Sequence, residues 1–324
     1  MRVFINGFGR IGRSVLRAWA MTPEAWRGLE IVGVNDIAAP EMCAYLFEYD
    51  STFGPWHGTV ALTDTALVVN GAAIPLYRAA DISALDLGTV DVVLECTGRA
   101  DARQVAERGL RAGARRVLIS GPSAAADLTV VLGANDGLLG DQPIVSNASC
   151  TTNALAPLVR VLDQAFGIVT GSMTTIHCYT GSQPTVDAPA ADFARSRAAA
   201  LSMVPTTTSA SRLLDQVLPQ VAGRIAGSAV RVPVASVSCV DLSVVVDRPA
   251  PVADINAMLR QAGGVIGWTD RPLVSSDLRA RPESIVMALP ETRIAKAGLL
   301  RVFGWYDNEW GFSNRMLDVA LRMG

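Results

Sequence analysis

Residues 3–12 read VFINGFGRIG, and this stretch constrains the fold more than any other. The apolar VFIN has the composition of a strand, and RIGRSVLRAWAM has the spacing of an amphipathic helix. Between them stand Gly7, Gly9 and Gly12. A strand that enters a helix through G-x-G-x-x-G commits the chain to a strand–helix–strand unit in a parallel sheet. The first glycine permits the tight turn and the second lets backbone approach a pyrophosphate. The third allows close helix packing, and the helix start supplies amides and partial positive charge for the phosphates. Asp36 ends the next strand, VGVND, 24 residues after Gly12. A carboxylate there accepts hydrogen bonds from ribose hydroxyls and repels a 2′-phosphate, so the expected cofactor is NAD rather than NADP.

The first half of the chain alternates short β-branched runs with helical ones. RVFIN, EIVGVN, DVVLECT, RVLIS and PIVSN read as strands, and TALVVNGAAIPLY reads as a hairpin about an Asn-Gly turn. After residue 150 come longer strand-like runs: IVTGSMTTIHCYT, GSAVRVPVASVSCVDLSVVVD and LLRVFGWYD. The expected class is α/β, a Rossmann-type doubly wound parallel sheet, joined to a second α+β catalytic domain with a mixed or antiparallel sheet. The expected division is residues 1–149 for the dinucleotide domain and 150–310 for the second. A terminal helix, about 311–324, would return to the first. Residues 181–200 lack periodicity, and so long a loop is read as functional or interfacial.

SNASCTTN, residues 146–153, places one thiol among small polar residues just before the apolar run ALAPLVRVLDQAF. Leu155, Leu158, Val159 and Leu162 are spaced to form one helix face. Ser149 and Thr151 are the candidate caps, and Pro157 is expected in the first turn. Cys150 would then begin a helix, where free amides favour a thiolate. His177, in TTIH on a predicted strand, can reach that thiol, and pairing with an imidazolium is expected to make thiolate the dominant form. His57, in FGPWHG, reads as a surface loop residue, and Cys43, Cys96 and Cys239 as buried structural residues.

Two further features point to anions. Arg231 lies inside the apolar strand AVRVPV, and a charge in such a place is rarely left without a partner. PTTTSAS, residues 205–211, offers hydroxyls and amides before the helical RLLDQVL, and Arg195 and Arg197 lie in the long loop. The chain has 324 residues, 50% of them hydrophobic, with a formal net charge of −2. This balance, with no long basic block, argues against a nucleic-acid partner. No apolar run reaches membrane-spanning length. Five irregularly spaced cysteines make no disulfide framework, and no Cys/His spacing calls for a metal. With no signal peptide ahead of the first strand, a reducing, cytoplasmic setting is expected.

NGFGRIGR, SNASCTTN, TTIH-YT, RVPV and WYDNEWGFSNRM stand in this order along the whole chain. In this the sequence resembles the phosphorylating glyceraldehyde-3-phosphate dehydrogenase family. The resemblance implies that Cys150 forms a thiohemiacetal and then an acyl thioester with a phosphorylated aldehyde, and that His177 acts as base. It implies that Thr180 and Arg231 hold the substrate phosphate. Ser149, Thr151, Thr208 and Ser209 would surround the attacking inorganic phosphate, with Arg195 serving the same anion region. Arg10, Ile11, Asp36, Arg78, Thr97, Ser120 and Asn308 would contact NAD, alongside Gly7, Gly9 and Gly12. It also implies a homotetramer in which the 181–200 loop approaches a neighbouring subunit's cofactor.

The chain departs from the family pattern at several places. Ala154 replaces a second cysteine, so no disulfide can form there. Ser209 replaces a glycine at the phosphate loop, and a side chain there is expected to crowd or re-aim the attacking phosphate. Phe312 replaces a tyrosine, Ala188-Pro189 replaces Leu-Pro, and the loop at 262–268 is short. RSRAAALSMVP, VDLSVVV and RPLVSSDL resemble the related erythrose-4-phosphate dehydrogenases, whereas HCYTGSQ keeps the triose-type tyrosine and threonine. Three readings stand: a triose-phosphate dehydrogenase, a dehydrogenase of erythrose 4-phosphate or another phosphorylated aldose, and a non-catalytic NAD-responsive binding protein. The last would predict loss of the thiol or imidazole, and both are present.

Overall fold

A computed structural model describes residues 1–190 and 192–324. The chain divides into two compact units. One comprises Met1–Val130, Asp136–Ala148 and Phe312–Gly324, and the other Val131–Asn135 and Ser149–Gly311.

In the first unit the elements run β1 (Arg2–Asn6), α1 (Arg10–Met21), β2 (Glu30–Asn35), α2 (Pro40–Glu48), β3 (Val60–Leu62), β4 (Ala66–Val69) and β5 (Ala72–Tyr77). There follow β6 (Val92–Glu95), α3 (Arg103–Ala106), α4 (Arg108–Arg111), β7 (Arg116–Ile119), β8 (Leu128–Thr129) and β9 (Ile144–Ser146). Among the described residues these strands form one sheet in the order β3-β4-β5-β2-β1-β6-β7-β9-β8. From β5 onward every pairing is parallel. The parallel strands are buried apolar runs: Val3, Ile5, Val92, Val93, Leu94, Leu118, Ile144 and Val145 are at most 1% exposed. This is the Rossmann-type sheet expected from the alternation of elements. The hairpin is real, but it builds out the sheet's edge rather than its middle, because β5 pairs with β2 while β4 and β3 continue antiparallel. Asn70 and Gly71 both have positive φ, 50° and 83°, as a two-residue hairpin turn of this twist requires.

The second unit contains α5 (Cys150–Phe166), β10 (Ile168–Cys178), β11 (Val204–Thr206), α6 (Ala210–Val217), β12 (Ile225–Val232) and β13 (Ser238–Val246). It continues through α7 (Val252–Gln261), β14 (Ile266–Thr269), β15 (Ile285–Ala288), β16 (Arg293–Ile294) and β17 (Leu300–Tyr306). The last helix, α8 (Trp310–Arg322), carries the chain back into the first unit. The second sheet runs β11-β12-β10-β13-β17-β15-β14, with β16 on β17, and is mixed as expected. β10 lies between β12, to which it is parallel, and β13, to which it is antiparallel. The run 227–247, which reads as one long strand in the sequence, is therefore two. Pro233, which has no N–H for a ladder, and Val237, at φ 68°, mark the break.

The placement of Pro157 differs from expectation. α5 starts at Cys150, so Pro157 is in the helix interior, where it removes one intrahelical hydrogen bond. The helix tolerates it because its apolar face is fully enclosed: Leu155, Leu158, Val159 and Leu162 are 0% exposed.

Candidate active site

In the first unit the three glycines have separate reasons. Gly7 has φ 95°, and a Cβ there would lie 2.7 Å from the Cys96 and Thr97 backbone. A Cβ on Gly12 would lie 2.1 Å from the Gly7 carbonyl oxygen. A Cβ on Gly9 would meet nothing within 4 Å, so Gly9 faces open space. That space is a cavity lined by Gly7, Gly9, Asp36, Ile37, Cys96 and Thr97 among others. α1 begins at Gly9 with no side chain to cap it. An uncapped helix start beside a glycine-walled cavity fits a dinucleotide pyrophosphate.

Asp36 accepts the Phe8 amide at 2.7 Å through Oδ2 and the Ala38 amide at 2.9 Å through Oδ1. It thus braces the glycine loop, and it lines the cavity. Thr97 is held by Glu95, which accepts from its amide at 3.0 Å and from its hydroxyl. Arg10 does not turn into the cavity through its guanidinium, which pairs with Asp50 and lies 5.5 Å from the Phe53 ring centre. Arg78 reaches the Ile37 carbonyl at 3.4 Å. Ser120 donates its amide to the Glu95 carbonyl at 3.0 Å and lines a neighbouring cavity with Gly98 and Pro122. Ile11 is half-buried in α1.

Beneath the cavity lies a network that sequence reasoning missed. Asn6 donates to Glu95 at 2.5 Å, and Asn35 donates to Asn6 at 2.9 Å. Asn35 also exchanges two hydrogen bonds with Ala79. The signal was present, since β1 and β2 both end in asparagine. Cys96 also departs from its reading as a buried structural residue, because it is partly exposed and lines the cavity.

In the second unit α5 brings the thiol to its first position. Ser149 Oγ accepts the Thr152 amide at 3.1 Å and is the cap. Thr151, the other candidate cap, is inside the helix, and its hydroxyl lies 2.8 Å from Tyr306 Oη. Just before the cap, Ala148 has φ 54°, a left-handed conformation that costs a non-glycine residue about 1 kcal/mol or more.

Cys150 Sγ is 3.6 Å from His177 Nε2. His177, 7% exposed, has its Nδ1 2.7 Å from the Cys178 carbonyl. A carbonyl only accepts, so Nδ1 carries the proton and Nε2 presents a lone pair to the sulfur. Tyr306 packs edge-on to the imidazole with ring centres 6.1 Å apart, and its hydroxyl is held between Thr151 and Thr175, at 2.8 and 2.9 Å.

Burial lowers the His177 pKa to about 4, with the Cys178 carbonyl opposing and the Arg231 charge adding to the shift. Burial of the sulfur raises Cys150, against the Thr151 hydroxyl and amide, Arg231 and its own amide, all of which pull it down. Both shifts favour the neutral forms and so act against the expected thiolate. Desolvation outweighs the helix-start amides. Attraction between the charged forms, on the order of 4 kcal/mol at this separation and an effective dielectric near 20, lowers the cost of moving the proton to Nε2 as the sulfur attacks.

Arg231 on β12 stands in register with His177 on β10. Its Nη1 donates to Thr180 Oγ1 at 2.7 Å. Among the described residues no carboxylate pairs with Arg231. Arg195 is exposed and donates to Thr206 and Thr207 at 2.7 and 3.3 Å, just ahead of Thr208 and Ser209 in the chain. Thr208 Oγ1 accepts the Ala210 amide at 3.1 Å. Ser209 precedes α6 at φ −78°, a right-handed conformation open to any residue, so serine in place of glycine brings no backbone strain. Asn308 is 7% exposed, and its Oδ1 accepts from the Cys178 thiol at 3.0 Å. His57 is exposed, while Cys43 and Cys239 are buried, all as expected. Among the described residues no cluster of His, Cys, Asp or Glu is arranged to hold a metal, and no helix is long and apolar enough to cross a membrane.

Comparison with known proteins agrees with this geometry. Residues 1–103 match the model of the glyceraldehyde 3-phosphate dehydrogenase NAD binding domain, and residues 149–308 match that of the C-terminal domain. A glyceraldehyde-3-phosphate dehydrogenase of Xanthobacter flavus is 45% identical over 333 residues, covering 100% of this chain and 98% of the relative. One from Pseudomonas aeruginosa is 45% identical over 330 residues, with the same coverage. Glyceraldehyde-3-phosphate dehydrogenase 1 of Bacillus subtilis is 40% identical over 329 residues, covering 99% of this chain and 97% of its own. With both halves matched and full-length identity of this order, the chain belongs to the glyceraldehyde 3-phosphate dehydrogenase family, NAD-dependent oxidoreductases acting on an aldehyde group.

Proposed function

We propose that this enzyme oxidises glyceraldehyde 3-phosphate, with inorganic phosphate, to 1,3-bisphosphoglycerate. The observation that carries the reading is the juxtaposition of Cys150 and His177 at 3.6 Å, with Arg231 in register beside His177 on the neighbouring strand. Cys150 Sγ attacks the aldehyde carbon as His177 Nε2 takes the thiol proton and passes it to the former carbonyl oxygen, which gives a thiohemiacetal and leaves the imidazole neutral again. The bound nicotinamide supplies the hydride acceptor. His177 removes the hydroxyl proton of the adduct as it becomes a thioester. A phosphate oxygen then attacks the thioester carbon, the C–S bond breaks, and Cys150 leaves as thiolate. Thr180 and Arg231 hold the substrate phosphate, and Ser149, Thr151, Arg195, Thr208 and Ser209 serve the attacking phosphate. Gly7, Gly9, Gly12 and Asp36 hold the NAD pyrophosphate and ribose, with Arg10, Ile11, Arg78, Thr97, Ser120 and Asn308 as further cofactor residues.

A homotetramer goes with this reading. Val186, Phe193, Leu201 and Met203, all in or beside the aperiodic loop, are 72, 96, 84 and 73% exposed, an apolar set suited to a second copy. A reducing cytoplasm suits it too, since all five cysteines are free and one must stay reactive.

NADH formation with glyceraldehyde 3-phosphate and with erythrose 4-phosphate, each with and without inorganic phosphate, tests the proposal. Phosphate-dependent turnover favouring the triose is expected. Turnover favouring the tetrose, or indifferent to phosphate, would overturn it in favour of the aldose reading.

A further inference from the structure

The turn after β10 places one more side chain on Arg231. Thr180-Gly181-Ser182-Gln183 is closed by the Gln183 amide donating to the Thr180 carbonyl at 3.0 Å. Its two ends therefore lie side by side. Arg231 Nη1 donates to Thr180 Oγ1 at 2.7 Å and to Gln183 Oε1 at 3.2 Å. Nη1 has two N–H groups, and the turn occupies both. Among the described residues Nε and Nη2 make no hydrogen bond, and together they form the planar fork that matches a phosphate bidentately.

Gln183 does this at a cost. The Arg231 N–H can only donate, so the amide oxygen must face it, and the Gln183 Nε2 group is left pointing away. That nitrogen is buried and has no partner. A buried donor left unpaired costs about 1–3 kcal/mol, which a residue kept for stability alone would not carry. An apolar side chain of the same length would fill the site without that penalty.

We infer that Gln183 is a positioning residue, which fixes the Arg231 guanidinium so that its Nε–Nη2 fork faces the phosphate of the aldehyde substrate. The inference rests on the proposed function, in which Arg231 holds that phosphate. Gln183 sets how well phosphorylated aldehydes are told from unphosphorylated ones, and the thiol chemistry itself does not pass through it.

The experiment compares kcat/KM for glyceraldehyde 3-phosphate with kcat/KM for glyceraldehyde in the full-length wild type, Gln183→Met, Gln183→Glu and Arg231→Leu, with Tm measured for each. Gln183→Met should lower the preference for the phosphorylated aldehyde about tenfold, the worth of one hydrogen bond to a charged group. The loss should fall on KM, with Tm equal to wild type or higher. Gln183→Glu keeps the acceptor but sets a negative charge beside the phosphate seat, and should lower the preference further. Equal loss with both aldehydes, or a lowered Tm with the preference intact, would overturn the inference. If Arg231→Leu abolishes the preference while both Gln183 variants keep it, Gln183 alone is misassigned. If Arg231→Leu leaves the preference unchanged, the proposed phosphate seat itself fails.

Discussion

Two helices in this molecule begin where a buried parallel strand ends, and they use their N-termini in opposite ways. α1 follows β1 through Gly9, which offers no capping side chain and stands open to a cavity. α5 follows β9 through Ser149, whose hydroxyl accepts the Thr152 amide, and its next three residues, Thr151 to Asn153, are buried. Both ends carry the same partial positive charge and the same orphan amides. The first leaves them for a ligand that arrives from solution. The second satisfies them internally and applies what remains to a single sulfur. On the proposed function, the open start binds and the closed start activates.

The largest expected effect breaks the closed start at its reactive atom. Cys150→Ser should lower dehydrogenase turnover by about 10⁴-fold or more, since an alkoxide does not form at this pH and no other thiol is placed to replace it. Equilibrium binding of NAD, followed by quenching of tryptophan fluorescence, should be unchanged. Activity near wild type would remove Cys150 from the mechanism.

The next effect comes from the group that takes the thiol's proton. His177→Asn should cost on the order of 10²–10⁴ in turnover. Alkylation of Cys150 by iodoacetamide should move to higher pH, because burial still raises the thiol and the nearby base is gone. The same substitution has a second signature. His177 is held at about 4 in the folded chain against the usual 6.5, so the unfolded chain binds more protons between those values. Stability therefore falls as pH drops from 6.5 to 4, by about 3 kcal/mol for this group. Urea unfolding of His177→Asn should show a shallower acid loss over that window, and an identical slope would contradict the buried neutral imidazole.

At the open start two alanine substitutions separate fold from ligand. Gly12→Ala places a Cβ 2.1 Å from the Gly7 carbonyl oxygen, so backbone must move. Loss of about 1–3 kcal/mol in stability is expected, along with weaker NAD binding. Gly9→Ala meets no atom within 4 Å, and its φ of −71° suits alanine. It should leave Tm unchanged and weaken NAD alone. Equal stability losses in the two would contradict the distinct roles of the glycines.

The two starts also differ in how far the sequence discloses them. The open one is legible almost completely, because its demands are on backbone, and only glycine meets them at fixed spacing. Asp36 is legible for the same reason, standing at a strand end a set distance on. At the closed start Cys150 announces itself by its small neighbours, but its surroundings come from register. His177 meets the thiol only once α5 packs on β10, and Arg231 stands beside His177 only once β10 and β12 are aligned, and no local pattern encodes either placement. Tyr306, Cys178 and Gln183 act through tertiary hydrogen bonds and leave no periodic trace. Pro157 was misplaced because apolar spacing locates a helix face but not its first residue, which the Ser149 cap fixes. The helix-start effect on the thiol is visible in sequence, whereas the burial that opposes it is not.

The smallest expected effect tests whether the closed start owes its geometry to its cap. Ser149→Ala removes the acceptor of the Thr152 amide, 3.1 Å away, and the hydroxyl contact with Thr152 Oγ1 at 2.7 Å. Loss of such a cap costs about 1 kcal/mol. If the cap serves only the helix, chemical denaturation should show that loss and turnover should fall no more than about twofold. Ala148, directly before it, is held left-handed at φ 54°, a conformation that persists only where its surroundings enforce it. With the cap gone, the turn is released at one of its two ends and the thiol loses its fixed distance to Nε2. Turnover falling about tenfold alongside the stability loss is therefore the expected result, because a nucleophile displaced by a fraction of an ångström loses rate out of proportion to binding. Gly9→Ala, at a start with no cap to lose, provides the control: its deficit should vanish at saturating NAD, whereas that of Ser149→Ala should not.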